Sequence, residues 1–264
     1  MTAPLPTGLG GGTNGNVRLV TDDPRPIDVL DADPDLGRAL SDRDRAEAGR
    51  HTLAPVVALP AGPWNPVTRH GAPPDGTLGL LVLDGLIART VRASGGVHTE
   101  LVGAGDLLRP WDEDQDGGGR SPSQIEWRVL SPVQIAVLGP RFAMVAGRWP
   151  QLSAELMCRA LRRTRSQSIL AAVSNQTRVD RRIHAALWHL AERWGRVGPH
   201  GTHLPLRLTH ATIAGLVGAR RPTATTALTQ LSAAGLVRRT PDGTWLLREP
   251  EAAAALAAPI AAAG

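Results

Sequence analysis

The chain has 264 residues, of which 42% are hydrophobic and 20% are charged, a composition typical of a soluble globular protein with room for two domains. Its single cysteine, Cys158, excludes an intrachain disulfide, a multi-cysteine zinc site and a cysteine-ligated iron–sulfur cluster. No apolar run reaches the roughly 18–20 residues that a membrane span needs. The N-terminus also lacks the basic and apolar segments of a secretory signal, so we expect a cytoplasmic protein with no membrane partner.

Charge is distributed unevenly along the chain. Residues 1–140 carry 12 arginines against 18 acidic residues, a net charge of −6. Residues 141–264 carry 17 arginines against 6 acidic residues, a net charge of +11. A strongly basic C-terminal half is typical of a module that binds nucleic acid.

The first half of the chain is predicted to be a tail followed by a β-rich domain. Residues 1–26 are rich in Gly, Pro, Thr and Asp without periodicity, which predicts a disordered tail. Residues 27–49 have apolar side chains at helical spacing and predict one or two short helices. Short apolar runs bounded by Gly, Pro, Asp and Ser then favour an antiparallel roll or barrel, within a domain of residues 27–148. These runs are Leu53–Leu59, Gly79–Val91, Val97–Val102, Glu126–Leu130 and Val133–Leu138.

Two glycine-containing segments in this domain are typical of hairpin turns. They are Asp84-Gly85 and Ser94-Gly95-Gly96. We therefore expect the chain to reverse direction at both places.

The next segment, residues 149–177, is predicted to be a dimerisation helix. It has no Pro or Gly from Gln151 to about Asn175, which predicts a helix of about 40 Å, too long to pack on one small domain. Such a helix typically pairs with its copy in a homodimer. The predicted apolar stripe comprises Leu152, Leu156, Met157, Ala160 and Leu170. Polar residues interrupt this stripe, so a long interdomain helix in a monomer stays an alternative.

Residues 178–249 are predicted to form a winged helix-turn-helix. An amphipathic helix at Val179–Trp194 precedes a loop at Gly195–His203. Leu236–Arg239 and Trp245–Arg248 flank the turn Pro241-Asp242-Gly243 and predict a β wing. Residues 250–264 are mostly alanine and predict a tail without chemistry.

Between these elements lies the pattern of a helix-turn-helix. Thr209 is a good N-cap for a first short helix, and Gly218 suits the tight turn after it. A second helix is predicted to begin at Arg220–Pro222 and to end at Gly235, where glycine takes a left-handed conformation easily. This order of elements is used by proteins that insert the second helix into the DNA major groove.

Side chains at the start and on the outer face of the second helix are candidates for contacts with DNA. Arg221 can donate two hydrogen bonds to guanine O6 and N7, and Thr226 can read a base or touch a thymine methyl. Short or basic groups at helix N-termini suit phosphate oxygens. The candidate set is Thr209, His210, Arg220, Arg221, Thr223, Thr225 and Thr226. The alternative is a winged helix that contacts protein.

Together these segments resemble the Crp/Fnr superfamily of bacterial transcription regulators, from about Ile27 to Arg248. The most specific stretches are DRRIHAALWHLAERWG, LPLRLTHATIAGLVGARRPTATTAL and GLVRRTPDGTWLL. The resemblance implies an α+β fold: an N-terminal antiparallel β-roll of the cyclic-nucleotide-binding type, a long dimerisation helix and a C-terminal winged helix-turn-helix. It also implies double-stranded DNA, a second copy of the chain and RNA polymerase as partners, with no cofactor.

The resemblance places the family's guanine-binding arginine at Arg221. The family's next two base-reading residues, one acidic and one arginine, are replaced by Pro222 and Thr226. We therefore expect this chain to bind a different operator from its best-known relatives.

The ligand segment of the β-roll departs from the family's cyclic-nucleotide binders. After GLLVLDGLIARTV and TELVGAGDLLRPW, Arg109-Pro110 stands where those proteins have Gly-Glu, and Ser123-Gln124 where they have Arg-Ser. Because an arginine is needed to pair bidentately with the phosphate, we expect any small-molecule effector to be other than cyclic AMP. The alternative is that the roll serves only as a structural base. The candidate pocket residues are Leu108, Arg109, Trp111, Arg120 and Trp127.

The sequence offers no signal for a metal site or for catalysis. Asp112–Gly117 imitates the start of a calcium loop, but its twelfth position is Ser123 instead of glutamate, so we expect no bound metal. Nucleophile-elbow, phosphate-loop and paired-carboxylate signatures do not occur. We therefore expect a homodimeric, sequence-specific DNA-binding regulator, not an enzyme; the alternative is a ligand-sensing or scaffold protein that acts through protein contacts.

Overall fold

The computed structural model describes residues 26–66, 75–112 and 123–249. The predicted N-terminal tail, apart from residue 26, and the alanine-rich tail of residues 250–264 therefore lie outside the described residues. The elements run from short helices through an antiparallel sheet to further helices and a small second sheet, which confirms the α+β class. In the described ranges no helix is both long and apolar enough to cross a membrane.

Short elements precede the large sheet and confirm the helices predicted for residues 27–49. Helix α1 begins after Asp28, whose carboxylate accepts a hydrogen bond from the backbone N–H of Leu30 at 2.8 Å. Ser41 caps helix α2 in the same way. The elements are β1 (Ile27–Asp28), α1 (Val29–Ala32), a 3-10 turn (Pro34–Gly37), α2 (Asp42–Gly49) and β2 (Leu53–Ala54).

Six antiparallel strands form the main sheet. Its hydrogen-bonded order is β3-β8-β5-β6, while β4 pairs with β8 and β7 pairs with β5. The two longest strands, β5 and β8, pair along almost their whole length and give the sheet its rolled shape. The strands are β3 (Val56–Leu59), β4 (Gly62–Trp64), β5 (Gly79–Ala93), β6 (Gly96–Gly103), β7 (Leu107–Leu108) and β8 (Ser123–Leu138).

One of the two predicted hairpin turns is wrong. Asp84-Gly85 lies inside the continuous strand β5, at a bulge where the register with β8 shifts. Gly85 has φ +90, and a Cβ atom there would lie 2.2 Å from the carbonyl oxygen of Pro132. Glycine is therefore required for the close approach of two strands and not for a turn. The Ser94-Gly95 turn joins β5 to β6 as predicted, with both residues at positive φ.

Three helices follow the sheet. They are α3 (Pro140–Ala146), α4 (Pro150–Ser174) and α5 (Val179–Trp194). Helix α4 confirms the predicted long helix, and its 25 residues correspond to about 38 Å. Helix α5 has the bounds predicted from its apolar spacing and buries one face, including Ile183 and Leu187.

The last elements form the winged helix-turn-helix. They are β9 (Arg196–Gly198), β10 (Gly201–Leu204), α6 (His210–Leu216), α7 (Arg221–Ala233), β11 (Val237–Arg239) and β12 (Trp245–Leu247). The predicted loop at Gly195–His203 is wrong, because it contains the hairpin of β9 and β10. Strand β10 pairs with β12, so this hairpin extends the wing into a four-stranded sheet of order β11-β12-β10-β9.

Buried apolar side chains form three clusters. One joins the N-terminal helices to α3 and the start of α4, and a second fills the inside of the roll. The third is the core of the winged helix-turn-helix, and it also contains Leu86, Ala88 and Leu101 from strands β5 and β6. The roll and the C-terminal module are therefore packed on one another through a shared apolar core.

Candidate nucleic-acid interface

The helix-turn-helix has the local geometry that its sequence predicts. The hydroxyl of Thr209 accepts a hydrogen bond from the backbone N–H of Thr212 at 3.1 Å, which caps helix α6. Gly218 has φ +61 in the turn, and Gly235 has φ +71 after α7. Helix α7 buries Ala224, Ala227, Leu228 and Leu231 against the rest of the module, which leaves its opposite face exposed.

The N-terminal end of α7 is open and basic. Its N-cap residue, Arg220, makes no side-chain capping bond, and Pro222 occupies the first turn. First-turn amides have no partner within a helix, so the N–H groups of Arg221 and Thr223 point out of its end. Arg220, Arg221 and Thr223 are all exposed. Two guanidinium groups and unpaired amides at one helix end are suited to phosphate oxygens.

Three threonines of α7 bond back to the helix itself. The hydroxyls of Thr225, Thr226 and Thr229 donate to the carbonyl oxygens four residues earlier, at 3.0, 3.3 and 3.1 Å. Their hydroxyl protons are therefore used within the helix, while their oxygen lone pairs and methyl groups stay available. Thr226 and Thr229 are exposed, whereas Thr225 is only half-exposed.

His210 and Thr225 lie between the two helices. Nδ1 of His210 is 3.1 Å from Oγ1 of Thr225, and the imidazole is tilted over Trp245 with 6.1 Å between ring centroids. Burial, followed by the nearby guanidinium groups of Arg239 and Arg221, lowers the pKa of His210 below its ordinary value of 6.5. The structure thus places these two candidate contacts where they hold α6 and α7 together.

The surface around this helix pair is strongly basic. Residues 178–249 contain 11 arginines and 4 acidic residues. The exposed arginines that were not singled out from the sequence include Arg207, Arg238 and Arg239. Two of them lie on wing strand β11, where a doubled arginine next to a predicted turn was the available signal.

The four candidate effector residues that the structure describes do not surround an open pocket inside the described part of the roll. Leu108 is fully buried, and Trp111 and Trp127 are each 8% exposed within the apolar cluster of the roll. Trp64, which was not predicted, packs edge-on against Trp127 at 5.6 Å between centroids. These indole rings lie within the apolar cluster inside the roll, as far as the structure describes it.

Arg109 is turned away from this interior. Its guanidinium bonds the carboxylate of Asp112 at 2.6 Å and the carbonyl oxygen of Thr77 at 2.6 Å. The fifth candidate, Arg120, lies outside the described residues, as does the acidic segment after Asp112. Within the described ranges, no group of three or more His, Cys, Asp or Glu side chains is arranged to hold a metal ion.

A cleft of about 1230 Å³ separates the roll from the helix-turn-helix. The N-terminal ends of α6 and α7 contribute Thr209, Arg220 and Arg221 to one wall. The other wall belongs to the roll and includes Trp64 and Trp127.

The predicted dimer stripe on α4 needs correction. Leu152, Leu156 and Leu170 are 0%, 5% and 3% exposed, because they are already buried within this chain, and they have no surface left for a partner. Met157 is 64% exposed and Ala160 is exposed as well. Leu161, absent from the predicted stripe, is 61% exposed next to them.

Comparisons with known proteins agree with this arrangement. The profile of the Crp-like helix-turn-helix domain matches residues 181–255. A search of curated proteins gave no match. A cyclic nucleotide-binding domain containing protein from Listeria monocytogenes EGD-e is similar in structure, with 14% identity and a TM-score of 0.57, over 81% of this chain and 96% of that one.

Two further solved structures share the fold. A CooA mutant from Carboxydothermus hydrogenoformans is 16% identical, with a TM-score of 0.53, over 78% of this chain and 88% of that one. FixK2 from Bradyrhizobium japonicum is 16% identical, with a TM-score of 0.53, over 77% of this chain and 96% of that one. At these identities the likeness concerns the fold, while the profile match assigns the C-terminal domain. Residues 181–255 therefore match a Crp-like helix-turn-helix domain, and the chain as a whole shares the fold of these solved structures.

Proposed function

We propose that this protein is a homodimeric, sequence-specific transcription regulator that inserts helix α7 into the DNA major groove. The observation that carries the proposal is the open N-terminal end of α7, where Arg220 and Arg221 stand beside unpaired amides on a helix-turn-helix scaffold. Phosphates bound there would fix the position of the helix, and Arg221 would donate to guanine O6 and N7. The exposed methyl groups of Thr226 and Thr229 suit thymine methyls farther along the site.

The dimer is proposed to form through the exposed face of helix α4. Spaced three, four or seven residues apart on this face are Ala154, Met157, Leu161, Ser168 and Ala172, all exposed. Residues at this spacing form the contact line between the helices of a two-stranded coiled coil, and the small side chains would let the two helices approach closely. Two modules related by a two-fold axis would bind half-sites about one helical turn apart on a symmetric operator.

The signal for this regulator is proposed to be something other than cyclic AMP. Indole rings lie inside the roll, in the part that the structure describes, and the guanidinium of Arg109 is hydrogen-bonded to Asp112 and Thr77. A regulator of this kind acts on transcription by contacting RNA polymerase or by blocking it.

Salt dependence of duplex binding tests the proposal. The logarithm of the affinity should fall steeply and linearly with the logarithm of the salt concentration, because each neutralised phosphate releases counterions. Selection of bound fragments from genomic DNA should then return a two-fold symmetric sequence. If duplex binding is absent, or does not respond to salt, the chain is a scaffold or sensor that contacts other proteins.

A further inference from the structure

Basic side chains from separate elements of the winged helix-turn-helix gather around His210. After burial, the charges of Arg239 on β11 and Arg221 at the start of α7 contribute most to lowering the pKa of His210, so both guanidinium groups lie near the imidazole. The guanidinium of Arg239 also reaches over the wing turn, where Nη2 would lie 3.6 Å from a Cβ atom on Gly243. Cγ of Arg207 would lie 4.0 Å from the same atom.

This gathering of positive charge has no acidic partner among the described residues. Neither Arg221 nor Arg239 is paired there with a carboxylate, and both are exposed. The acidic residue of the wing turn, Asp242, accepts hydrogen bonds from two threonine hydroxyls of that turn. Elsewhere in the chain, arginines contact carboxylates in the pairs Arg159–Asp33, Arg163–Glu100 and Arg193–Asp106. The charges around His210 therefore stay available to an anionic partner.

The hydrogen bonds of Thr225 determine which nitrogen of His210 carries the proton. The Thr225 hydroxyl donates to the carbonyl oxygen of Arg221 at 3.0 Å, so its oxygen accepts from Nδ1 of His210 at 3.1 Å. Neutral His210 thus holds its hydrogen on Nδ1, and Nε2 carries a lone pair. That lone pair repels a phosphate oxygen, whereas a protonated Nε2 donates a charge-assisted hydrogen bond to it.

We propose that His210 and Arg239 form a site for a DNA backbone phosphate beside Arg221, and that His210 takes up a proton when operator DNA binds there. The inference rests on the proposed DNA-binding function and adds β11 to the elements that contact DNA. Arg221 donates to guanine, while the imidazolium and the guanidinium of Arg239 hold the phosphate.

The proton on His210 is the part of this site that can be switched. In the free protein, burial and two neighbouring guanidinium groups disfavour the charged imidazole. A bound phosphate supplies the opposite charge and favours it. Binding is therefore linked to proton uptake, and operator affinity rises as the pH falls from about 7.5 to about 6.

Operator titrations across this pH range, at constant salt, test the linkage. The wild type should gain affinity by up to about tenfold per pH unit at each half-site, the limit for uptake of one proton. His210→Gln keeps a donor for Thr225 but does not titrate, so its affinity should respond to pH far less. His203→Gln is the matched control, because His203 bonds Thr244 in the same module, and it should keep the wild-type response.

A permanent charge at position 210 separates phosphate binding from a structural role. His210→Arg should bind the operator more tightly than the wild type at pH 7.5 and should lose the pH dependence, because its guanidinium stays charged. A structural role for His210 would instead weaken binding in both His210→Gln and His210→Arg, by the same factor at every pH.

Substitution of Arg239 tests the second member of the site. Arg239→Gln should reduce the slope of the logarithm of affinity against the logarithm of salt concentration by about one per half-site, because one phosphate contact is lost. The reduction should be the same on the operator and on an unrelated duplex, since a phosphate carries no sequence information. Arg148→Gln makes the same change in charge near the start of α4, where Arg148 pairs with Glu47, and should leave the slope unchanged.

The proton can also be followed directly by NMR. The Cε1–H resonance of His210, assigned by its absence from His210→Gln, should titrate at higher pH in the operator complex than in the free protein. A wild type that binds no DNA overturns the proposed function. A wild type that binds DNA with the same pH dependence as folded His210→Gln, or in which His210 titrates alike when free and bound, overturns the phosphate site alone.

Discussion

His210 and Thr225 are joined across the turn of the helix-turn-helix, with 3.1 Å between Nδ1 and Oγ1. The contact connects the first residue of α6 to the second turn of α7, so it helps to fix the angle between the two helices. The imidazole is also close enough to Arg239 and Arg221 for their charges to lower its pKa, in addition to the larger effect of burial. A proton on His210 is therefore unfavourable in the folded state.

Stability is expected to fall on acidification from pH 7 to pH 5.5. Unfolded histidine titrates near 6.5, and the folded pKa of His210 is lower, so the unfolded chain binds more protons in this range and is stabilised relative to the folded one as the pH falls. Burial lowers the pKa of His98 and His184 in the same direction. Urea unfolding at the two pH values measures the loss, and His210→Gln should make it smaller. An equal loss in wild type and His210→Gln would show that His210 does not contribute.

Arg221→Ala is expected to weaken binding to the selected operator by about 1–3 kcal/mol, because a bidentate contact to guanine is lost. Arg221→Lys should recover little of this, since an ammonium group cannot form the paired hydrogen bonds. Electrophoretic mobility shift titrations on the operator and on a variant with the guanine replaced measure both effects. Arg148→Ala is the control, because Arg148 pairs with Glu47 near the start of α4. A loss of the same size on both duplexes would assign Arg221 to a phosphate.

The helices of this protein could be predicted from local sequence, whereas the continuous course of strand β5 through Asp84-Gly85 could not. Val179–Trp194 has the predicted bounds, because apolar spacing and the following glycine both act within the segment. Asp84-Gly85 has the composition of a turn, but Pro132, far along the chain, approaches Gly85 closely and keeps it inside a strand. A local pattern carries no information about such a partner.

Partners that are distant in sequence also explain which contacts near the candidate site could not be predicted. Helical spacing places Leu156 and Leu161 on different faces of α4, but it does not say which face the rest of the chain covers. The Arg193–Asp106 pair joins residues 87 positions apart, and Trp64 meets Trp127 from another strand. In contrast, Thr209 and Gly218 could be predicted because caps and tight turns depend on near neighbours.

Removal of Arg159 is expected to destabilise the fold by about 3–5 kcal/mol. The carboxylate of Asp33 then loses its arginine partner in a poorly solvated place, and Glu155 keeps only the more exposed Arg162 and Arg38. The Arg159 side chain is 5% exposed and bonds Asp33 and Glu155. Burial opposes its charge, but these bonds outweigh burial and raise the pKa of Arg159. Arg159→Ala should lower the urea midpoint strongly, while Arg178→Ala, at an exposed pair, should leave it almost unchanged. Equal midpoints in the two variants would contradict this difference.

The face proposed for the dimer can be tested with a single thiol. Ser168 lies on the exposed face of α4, and the only native cysteine, Cys158, can be replaced by serine. In that background, Ser168→Cys should form a disulfide-linked dimer on mild oxidation, because paired helices bring equivalent positions within reach of an S–S bond. Ser232→Cys, on α7, should stay monomeric on a denaturing gel.

Leu161→Arg should shift the native protein to monomer in sedimentation, since two guanidinium groups would be buried against each other. It should also weaken operator binding, because each module then binds its half-site alone. A Leu161→Arg protein that stays dimeric would exclude this face as the interface.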